Sequence, residues 1–459
     1  MTISALAASV RAGGVSATEL VVDSMKRIEE INPMLNAVVA IREQALDDAD
    51  LADAGRPTGA LAGLPLLVKD TEDVAGMRTT HGSVVHAADP PAAADSLVVA
   101  RLRAAGAIVV GKTNTPEFAF EGFTDNSLFG ATRNPWMPDY SPGGSSGGAG
   151  AALSAGMAPL ATGSDGGGSI RIPAAFCGLA GLKPTNGLIG RSPIPSWIDL
   201  STSGPMATTV TDLALLLGVM KGPVAGDPNA HPAWSPRMGV WPRRAIVAER
   251  LGSSGALTPG VATTFQASLV LFSHATGLTL EPADLGPLFA AGDPAEDWFT
   301  ICAVEQLHAF GRGRLEEHRH QLSPVFATIM ELASRIEFDM YLDAKRRRFD
   351  YVRAFDDLLG DDTVLLSPTM CIEGFAADGV MPGADHAGTP PEVYNTDLSN
   401  ITGHPALSVP AGISSNGLPF GLQIVGPRFA DDLVLAVGAT WEAASPWALT
   451  APGYEPFGA

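Results

Sequence analysis

The run SPGGSSGGAGAALSAGMAPLATGSDGGGSIRIPAAFCGLAGLKPT, from Ser141 to Thr185, decides how this chain is built. Its Gly/Ser-rich composition would suit a flexible linker. A solvated linker has no apolar anchors, yet this run carries Leu153, Met157 and Leu160 at helical spacing over Ala149–Ala161, and Ile170, Ile172 and Phe176 follow at once. It therefore reads as a densely packed region in which backbones approach closely, as glycine permits.

Toward the N-terminus, Leu64-Pro-Leu-Leu-Val68 is a short apolar run suited to a buried strand that ends at Lys69-Asp70. Ala107-Ile-Val-Val110 is a second such run, and residues 96–104 between them read as helix. A polar helix is expected over roughly Ile41 to Ala54. The first clear helix starts at Ser16, where Ser16-Ala-Thr-Glu19 forms a capping box ahead of Leu20, Val21 and Met25, and it is expected to stop before Pro33. Toward the C-terminus, residues 222–260, rich in Pro, Gly and Ser, read as a surface excursion. Phe299–Leu359 reads as mostly helical, with Lys345-Arg-Arg-Arg348 as a solvated helix face. Helices alternating with short apolar strands specify a layered α/β architecture, and no repeat or internal boundary divides it.

Composition narrows the function. The 459 residues hold 29 Lys+Arg and 49 Asp+Glu, a formal net charge of −20. A nucleic-acid binder needs a basic patch and a membrane-surface binder needs basic clusters, so neither class is expected. With 46% hydrophobic and only 17% charged residues, much of the chain can be buried. Cys177, Cys302 and Cys371 are too few and too scattered for a disulfide framework or a CxxC metal motif, which fits a reducing compartment. The opening MTISALAASVRAGG has no basic segment followed by a long apolar one, and no apolar run approaches the roughly 20 residues of a spanning helix. A cytoplasmic protein is the expectation.

Two motif matches compete with a wider constellation. Gly106-Ala-Ile-Val-Val-Gly111-Lys112-Thr113 satisfies the phosphate-loop pattern, but its β-branched middle belongs inside a sheet rather than in an open loop. Gly144-Ser-Ser146-Gly-Gly148 satisfies the nucleophile-elbow pattern of α/β-hydrolases, which would make Ser146 an esterase nucleophile with a downstream histidine such as His404. The turn-like Asp139-Tyr-Ser-Pro142 stands where that elbow needs a strand. The histidines contain no HExxH, and His318 and His320 lie on different helix faces, so no metal site is expected. The constellation comprises Lys69 at the end of a buried strand, the serines of Ser141-Pro-Gly-Gly-Ser145-Ser-Gly-Gly148, and Gly163-Ser-Asp-Gly-Gly-Gly-Ser169-Ile-Arg171. In the last of these, Gly166-Gly-Gly168 before Ser169 lets successive N–H groups point at one spot, as an oxyanion hole requires.

These residues resemble the amidase signature family. The resemblance is nearly residue for residue from Ser141 to Thr185 and extends to Gly111-Lys-Thr-Asn114, Asn134-Pro-Trp136, Gly204-Pro-Met206, Asn400-Ile-Thr-Gly-His-Pro-Ala406 and Gly417-Leu-Pro-Phe-Gly-Leu-Gln-Ile-Val-Gly426. It implies one α/β/α domain over residues 1–459, with a central mixed sheet covered by helices on both faces. The signature core lies at about 60–215 and 365–430, and a variable, substrate-determining region at about 220–340. It also implies Lys69 as base, Ser145 as bridging cis-serine and Ser169 as nucleophile, at the family's interval of 24 residues between the serines. The amides of Gly166, Gly167, Gly168 and Ser169 match the oxyanion hole, Asp165 and Arg171 the residues that brace its loop, and Ala119 and Phe120 a pocket-lining segment. Gly166 departs from the Thr or Ile common at its position, a change expected to add flexibility and space beside the nucleophile. The implied activity is hydrolysis of amide C–N bonds through an acyl-enzyme, without cofactor or metal. The implied substrates are aryl or apolar amides or carbamates (urethanes), with ester cleavage beside them. The implied partner is that small molecule, with a homodimer left open. The family also supplies an alternative, a glutamine amidotransferase A-type subunit delivering ammonia to a tRNA-dependent partner.

Overall fold

A computed structural model describes residues 1–231, 241–252, 256–380 and 393–459. Among the described residues eleven strands form one sheet: β1 (Val38–Ile41), β2 (Pro65–Lys69), β3 (Ile108–Thr113), β4 (Leu160–Asp165), β5 (Ala180–Lys183), β6 (Thr202–Ala207), β7 (Arg244–Val247), β8 (Leu280–Pro282), β9 (Thr363–Pro368), β10 (Ala406–Ile413) and β11 (Pro419–Val425). They lie in the order β1-β3-β2-β4-β6-β5-β10-β11-β9-β7-β8. The β3-β2-β4 and β9-β7-β8 pairings are parallel and the others antiparallel, so the sheet is mixed. Helices cover both faces in a single α/β domain.

β2 shows why the site forms where it does. Successive side chains of a strand face opposite sides. Leu66 and Val68 enter one apolar layer with Val109 and Leu182, whereas Leu67 enters the other with Ala149, Ala152 and Leu153 of the Gly147–Ser154 helix. The same alternation turns Lys69 toward that helix and Asp70 away from it. An irregularity in the β2–β3 register sets Lys112 opposite Val68. Asp70 therefore meets Lys112 across the strands at 3.2 Å, with both side chains buried. The phosphate-loop pattern is accordingly a buried strand.

Several expectations are corrected. A helix at Ile3–Ala12 precedes the Ser16 helix, whose capping box forms as read. The Ser16 helix runs past Pro33 to Leu35, because its end is set by Asn36 in the left-handed region and by the Asn32 side chain accepting from the Ala37 and Val38 N–H groups. The helix expected to run through Leu160 stops at Ser154. Gly156 turns the chain there with φ +65°, where an added Cβ would sit 2.2 Å from the Glu455 carbonyl oxygen, and Leu160 opens β4 instead. The supposed excursion over 222–260 supplies β7 to the sheet, and part of it lies outside the described residues. The basic run is anchored rather than solvated: Lys345 binds Asp199 and Glu305, Arg347 binds Asp297, and Arg348 reaches the Ile401 carbonyl.

The buried Asp70–Lys112 pair yields a stability prediction. Lys112→Met should cost about 3–5 kcal/mol in urea unfolding at pH 7, because it strands a buried carboxylate. Burial already pushes the Asp70 carboxyl above its ordinary range, so the loss should shrink as the pH falls and the folded state takes up a proton more readily than the unfolded one. Adding Asp70→Asn to Lys112→Met should recover much of the loss.

Candidate active site

Lys69 ends β2 fully buried. Its Nζ donates to Ser145 Oγ at 2.7 Å and to Ser164 Oγ at 3.0 Å, while its backbone N–H is held by Thr162 Oγ1. Burial lowers its pKa to about 7 against the opposing fields of Glu72 and Asp165. Asp70 points to Lys112 and Thr80 instead. A lysine whose close side-chain partners are hydroxyls, with no carboxylate in contact, has little to hold its proton.

Ser145 follows a cis peptide bond after Gly144 and stands two residues before the Gly147–Ser154 helix. Ser145, Ser164 and Ser169 all line one cavity of about 180 Å³. Ser169 heads the Arg171–Cys177 helix, so it sits between β4 and that helix. The loop from β4 to Ser169 is held by the fully buried Asp165 and Arg171. Asp165 accepts from the Gly168 and Ile170 N–H groups and from two guanidinium nitrogens of Arg171, at 2.8 and 2.9 Å. Burial pushes the Asp165 carboxyl up, but Arg171 and Asn400 outweigh it and hold the pKa at about 2. Arg171 also donates to Asn400, Gln423 and the Thr396 carbonyl.

Three details differ from the sequence reading. The Gly168 N–H is committed to Asp165 at 2.8 Å, which leaves the amides of Gly166, Gly167 and Ser169 available as oxyanion donors. Gly166 adds no space: a Cβ there would lie 2.3 Å from the Trp197 ring, so the indole already fills the volume that a larger residue would take. Ala119 lines the cavity, but Phe120 stands behind it, edge-on to Trp197 with ring centroids 5.1 Å apart. Ser146 does not behave as an elbow. No strand precedes it, its Oγ bonds at 3.4 Å to the Ser164 backbone, and His404 is buried against Phe355 outside the cavity.

Sequence reasoning missed Ser164, Glu72, His81, Phe118 and Trp197, all in the cavity wall. Glu72, two residues beyond Asp70, accepts from Ser96 at 3.0 Å and Ser203 at 3.1 Å. His81 is held neutral, with its pKa pushed down to about 4 by burial. The -Thr-Gly-Ser164-Asp- lead into the glycine loop was the available signal for Ser164. Trp197 gave none, since it lies 31 positions beyond the glycine it covers (197 − 166). Among the described residues no group of three or more His, Cys, Asp or Glu side chains is gathered as a metal ion would need, and no helix is long and apolar enough to cross a membrane.

The family model described as Amidase matches residues 19–270 and 310–435. The chain is 34% identical over 473 residues to an acylamidase of Rhodococcus erythropolis, covering 96% of this chain and 95% of that protein. It is 36% identical over 481 residues to the A-type subunit of a glutamyl-tRNA(Gln) amidotransferase of Synechococcus sp. (strain CC9605), covering 97% and 96%. A crystal structure of a bacterial aryl acylamidase of the amidase signature family superposes with a TM-score of 0.88 at 28% identity, covering 97% of this chain and 96% of that one.

The Gly166–Trp197 contact is directly testable. Gly166→Ala should lower the unfolding midpoint and the activity together, because the added Cβ meets a ring that is itself fixed by neighbours. In a double-mutant cycle, Trp197→Leu should relieve most of the Gly166→Ala penalty; additive losses would show that the ring is not what excludes the side chain.

Proposed function

The chain belongs to the amidase signature family and hydrolyses the C–N bonds of amides, and on that premise we propose that it does so through a Lys69–Ser145–Ser169 relay and an acyl-enzyme. The observation that carries the reading is the buried Lys69 Nζ at 2.7 Å from Ser145 Oγ. A serine hydroxyl is a poor nucleophile until a base takes its proton. Neutral Lys69 takes one from Ser145, and Ser145 takes one from Ser169. Ser169 Oγ then attacks the amide carbonyl, and free amides of the glycine loop hold the developing oxyanion. The protons return by the same relay to the leaving amine, and water cleaves the acyl-enzyme. The base needs no histidine, which accords with the neutral, wall-forming His81.

The cavity wall supports a reading of the substrate class. Leu97, Val98, Phe118, Pro195 and Trp197 make part of the wall of the cavity that Ser169 lines apolar and aromatic. An aryl or apolar amide fits this part, and a carbamate or ester carries the same electrophilic carbonyl. The acylamidase relative supports a free-standing hydrolase, while the amidotransferase relative keeps glutamine as the competing substrate. A panel of aryl anilides, a urethane and glutamine, assayed with the chain alone, separates the two. Glutamine as the preferred substrate would transfer the proposal to the ammonia-supplying role.

The relay sets the pH profile. Because Lys69 acts neutral with a pKa near 7, kcat/KM should rise through one ionisation near 7 and then level off. Lys69→Arg should remain inactive at every accessible pH, since arginine stays protonated. Near-native turnover of that variant would mean a fixed positive charge, and the relay would be lost. Ser169→Ala should lower kcat by at least about 10³-fold, and a fluorophosphonate should add its mass to the Ser169 peptide. Label on Ser146 would favour the esterase alternative.

A further inference from the structure

The carbonyls of the loop before Ser169 are each held from outside it. Asn400 Nδ2 donates to the Asp165 oxygen at 2.9 Å, Trp298 Nε1 to the Gly166 oxygen at 2.7 Å, Thr396 Oγ1 to the Gly167 oxygen at 2.5 Å, and the Ile172 N–H to the Gly168 oxygen at 2.7 Å. These peptide bonds are trans, so each N–H points opposite to its own carbonyl. Pinning the carbonyl therefore aims the N–H. The Gly168 N–H, aimed in this way, is taken by Asp165. Those of Gly166, Gly167 and Ser169 are left without an acceptor among the described residues.

Trp298 differs from the other anchors in origin. It lies on the Pro294–Phe310 helix, outside the stretches that carry the family pattern, and no motif reading selects it. Its ring lies flush on the loop: a Cβ on Gly167 would come within 2.4 Å of it. It also stands edge-on to Trp197, with ring centroids 5.7 Å apart, and Trp197 in turn covers Gly166. The helix is clamped next door, where Asp297 binds Arg347 at 2.6 Å and Tyr351 Oη at 2.6 Å. The indole N–H thus reaches the loop from a fixed direction.

We infer that Trp298 is a positioning residue of the oxyanion site, its indole N–H fixing the Gly166–Gly167 peptide so that the Gly167 N–H faces the carbonyl oxygen under attack. The inference rests on Ser169 as nucleophile. Charge builds on that oxygen only as the tetrahedral species forms, so a donor aimed in advance acts on the transition state more than on the bound amide. Removing an oxyanion donor outright costs about 10²–10³ in kcat. Losing only its alignment should cost less.

The test replaces the indole N–H and keeps the ring. Trp298 is exchanged for 3-benzothienylalanine, which puts sulfur where the N–H was, and Trp298→Phe serves as the genetically simple companion. With an aryl anilide, both should lower kcat roughly tenfold with KM within about twofold. A boronic acid that forms a tetrahedral adduct on Ser169 should bind weaker by the same factor, while the product carboxylate binds as to the native enzyme. Unchanged kcat in the benzothienyl enzyme would overturn the inference, as would a loss confined to KM or one not mirrored in boronate affinity. Mass analysis of the native boronate or fluorophosphonate adduct distinguishes a wrong nucleophile from a wrong role for Trp298. An adduct on another serine removes the nucleophile assignment and this inference with it. An adduct on Ser169 with boronate affinity indifferent to Trp298 removes this inference alone.

Discussion

Asp165 and Arg171 form a bidentate pair with no access to solvent, and the arrangement of the cavity follows from satisfying it. Two charges taken out of water are tolerable only if every remaining donor and acceptor finds a partner. Arg171 gives its remaining N–H groups to Asn400, Gln423 and the Thr396 carbonyl, so one side chain ties β4 and its following helix to the Asp397–Thr402 helix and β11. The remaining lone pairs of the Asp165 carboxylate accept from the Gly168 and Ile170 N–H groups and from Asn400 Nδ2. The loop between them therefore has one shape, and Ser169 inherits its place from that shape. Asp165 and the proposed nucleophile are separated by only a few residues because the constraint is transmitted through backbone N–H groups.

Three fully buried lysines show how differently one residue type can be used. Lys112 answers burial with a counter-ion, Asp70. Lys183 gives its protons to the Pro184 carbonyl and Asn186 Oδ1, acceptors that favour an ammonium, although burial and Arg171 draw its pKa to about 7. Lys69 alone is placed against hydroxyls beside a cavity, with carboxylates acting on it only through space. A hydroxyl can accept from an ammonium and can equally donate to a free amine, so both protonation states of Lys69 are satisfied. That indifference, rather than the lowered pKa itself, suits Lys69 to the base role proposed for it.

The parts of this arrangement that were legible in the sequence are those determined locally. The β2 run, the placement of Lys69 at its end, the opposite orientation of Asp70 and the capping box at Ser16 follow from side-chain alternation and from contacts within four residues. The gathering of Lys69, Ser145 and Ser169 at one place was legible through resemblance, not through periodicity. What escaped depended on distant partners. The Gly156 turn is demanded by the Glu455 carbonyl, nearly three hundred residues on, and β7 pairs with a strand that begins more than a hundred residues later. The basic run looked solvated because Asp199, Asp297 and Glu305 are remote in sequence.

Gly166 shows how such distance misleads even a close resemblance. Read along the chain, a missing side chain means room. Read in space, a glycine beside an aromatic ring means that the ring arrived first: Trp197 occupies the position, Phe120 and Trp298 pack edge-on to it, and the ring reaches the cavity wall. The exchange moves bulk from a side chain at position 166 to an indole that lines the cavity. A Thr or Ile side chain would have been fixed by the loop that bears it. An aromatic ring delivered from outside the loop couples the cavity wall to the segments that carry Trp197 and Trp298, whereas the Asp165–Arg171 brace ties the same loop to β11 and the Asp397–Thr402 helix. Where two tryptophans lie against two glycines, the shape of the cavity wall and the set of the loop therefore depend on the same contacts.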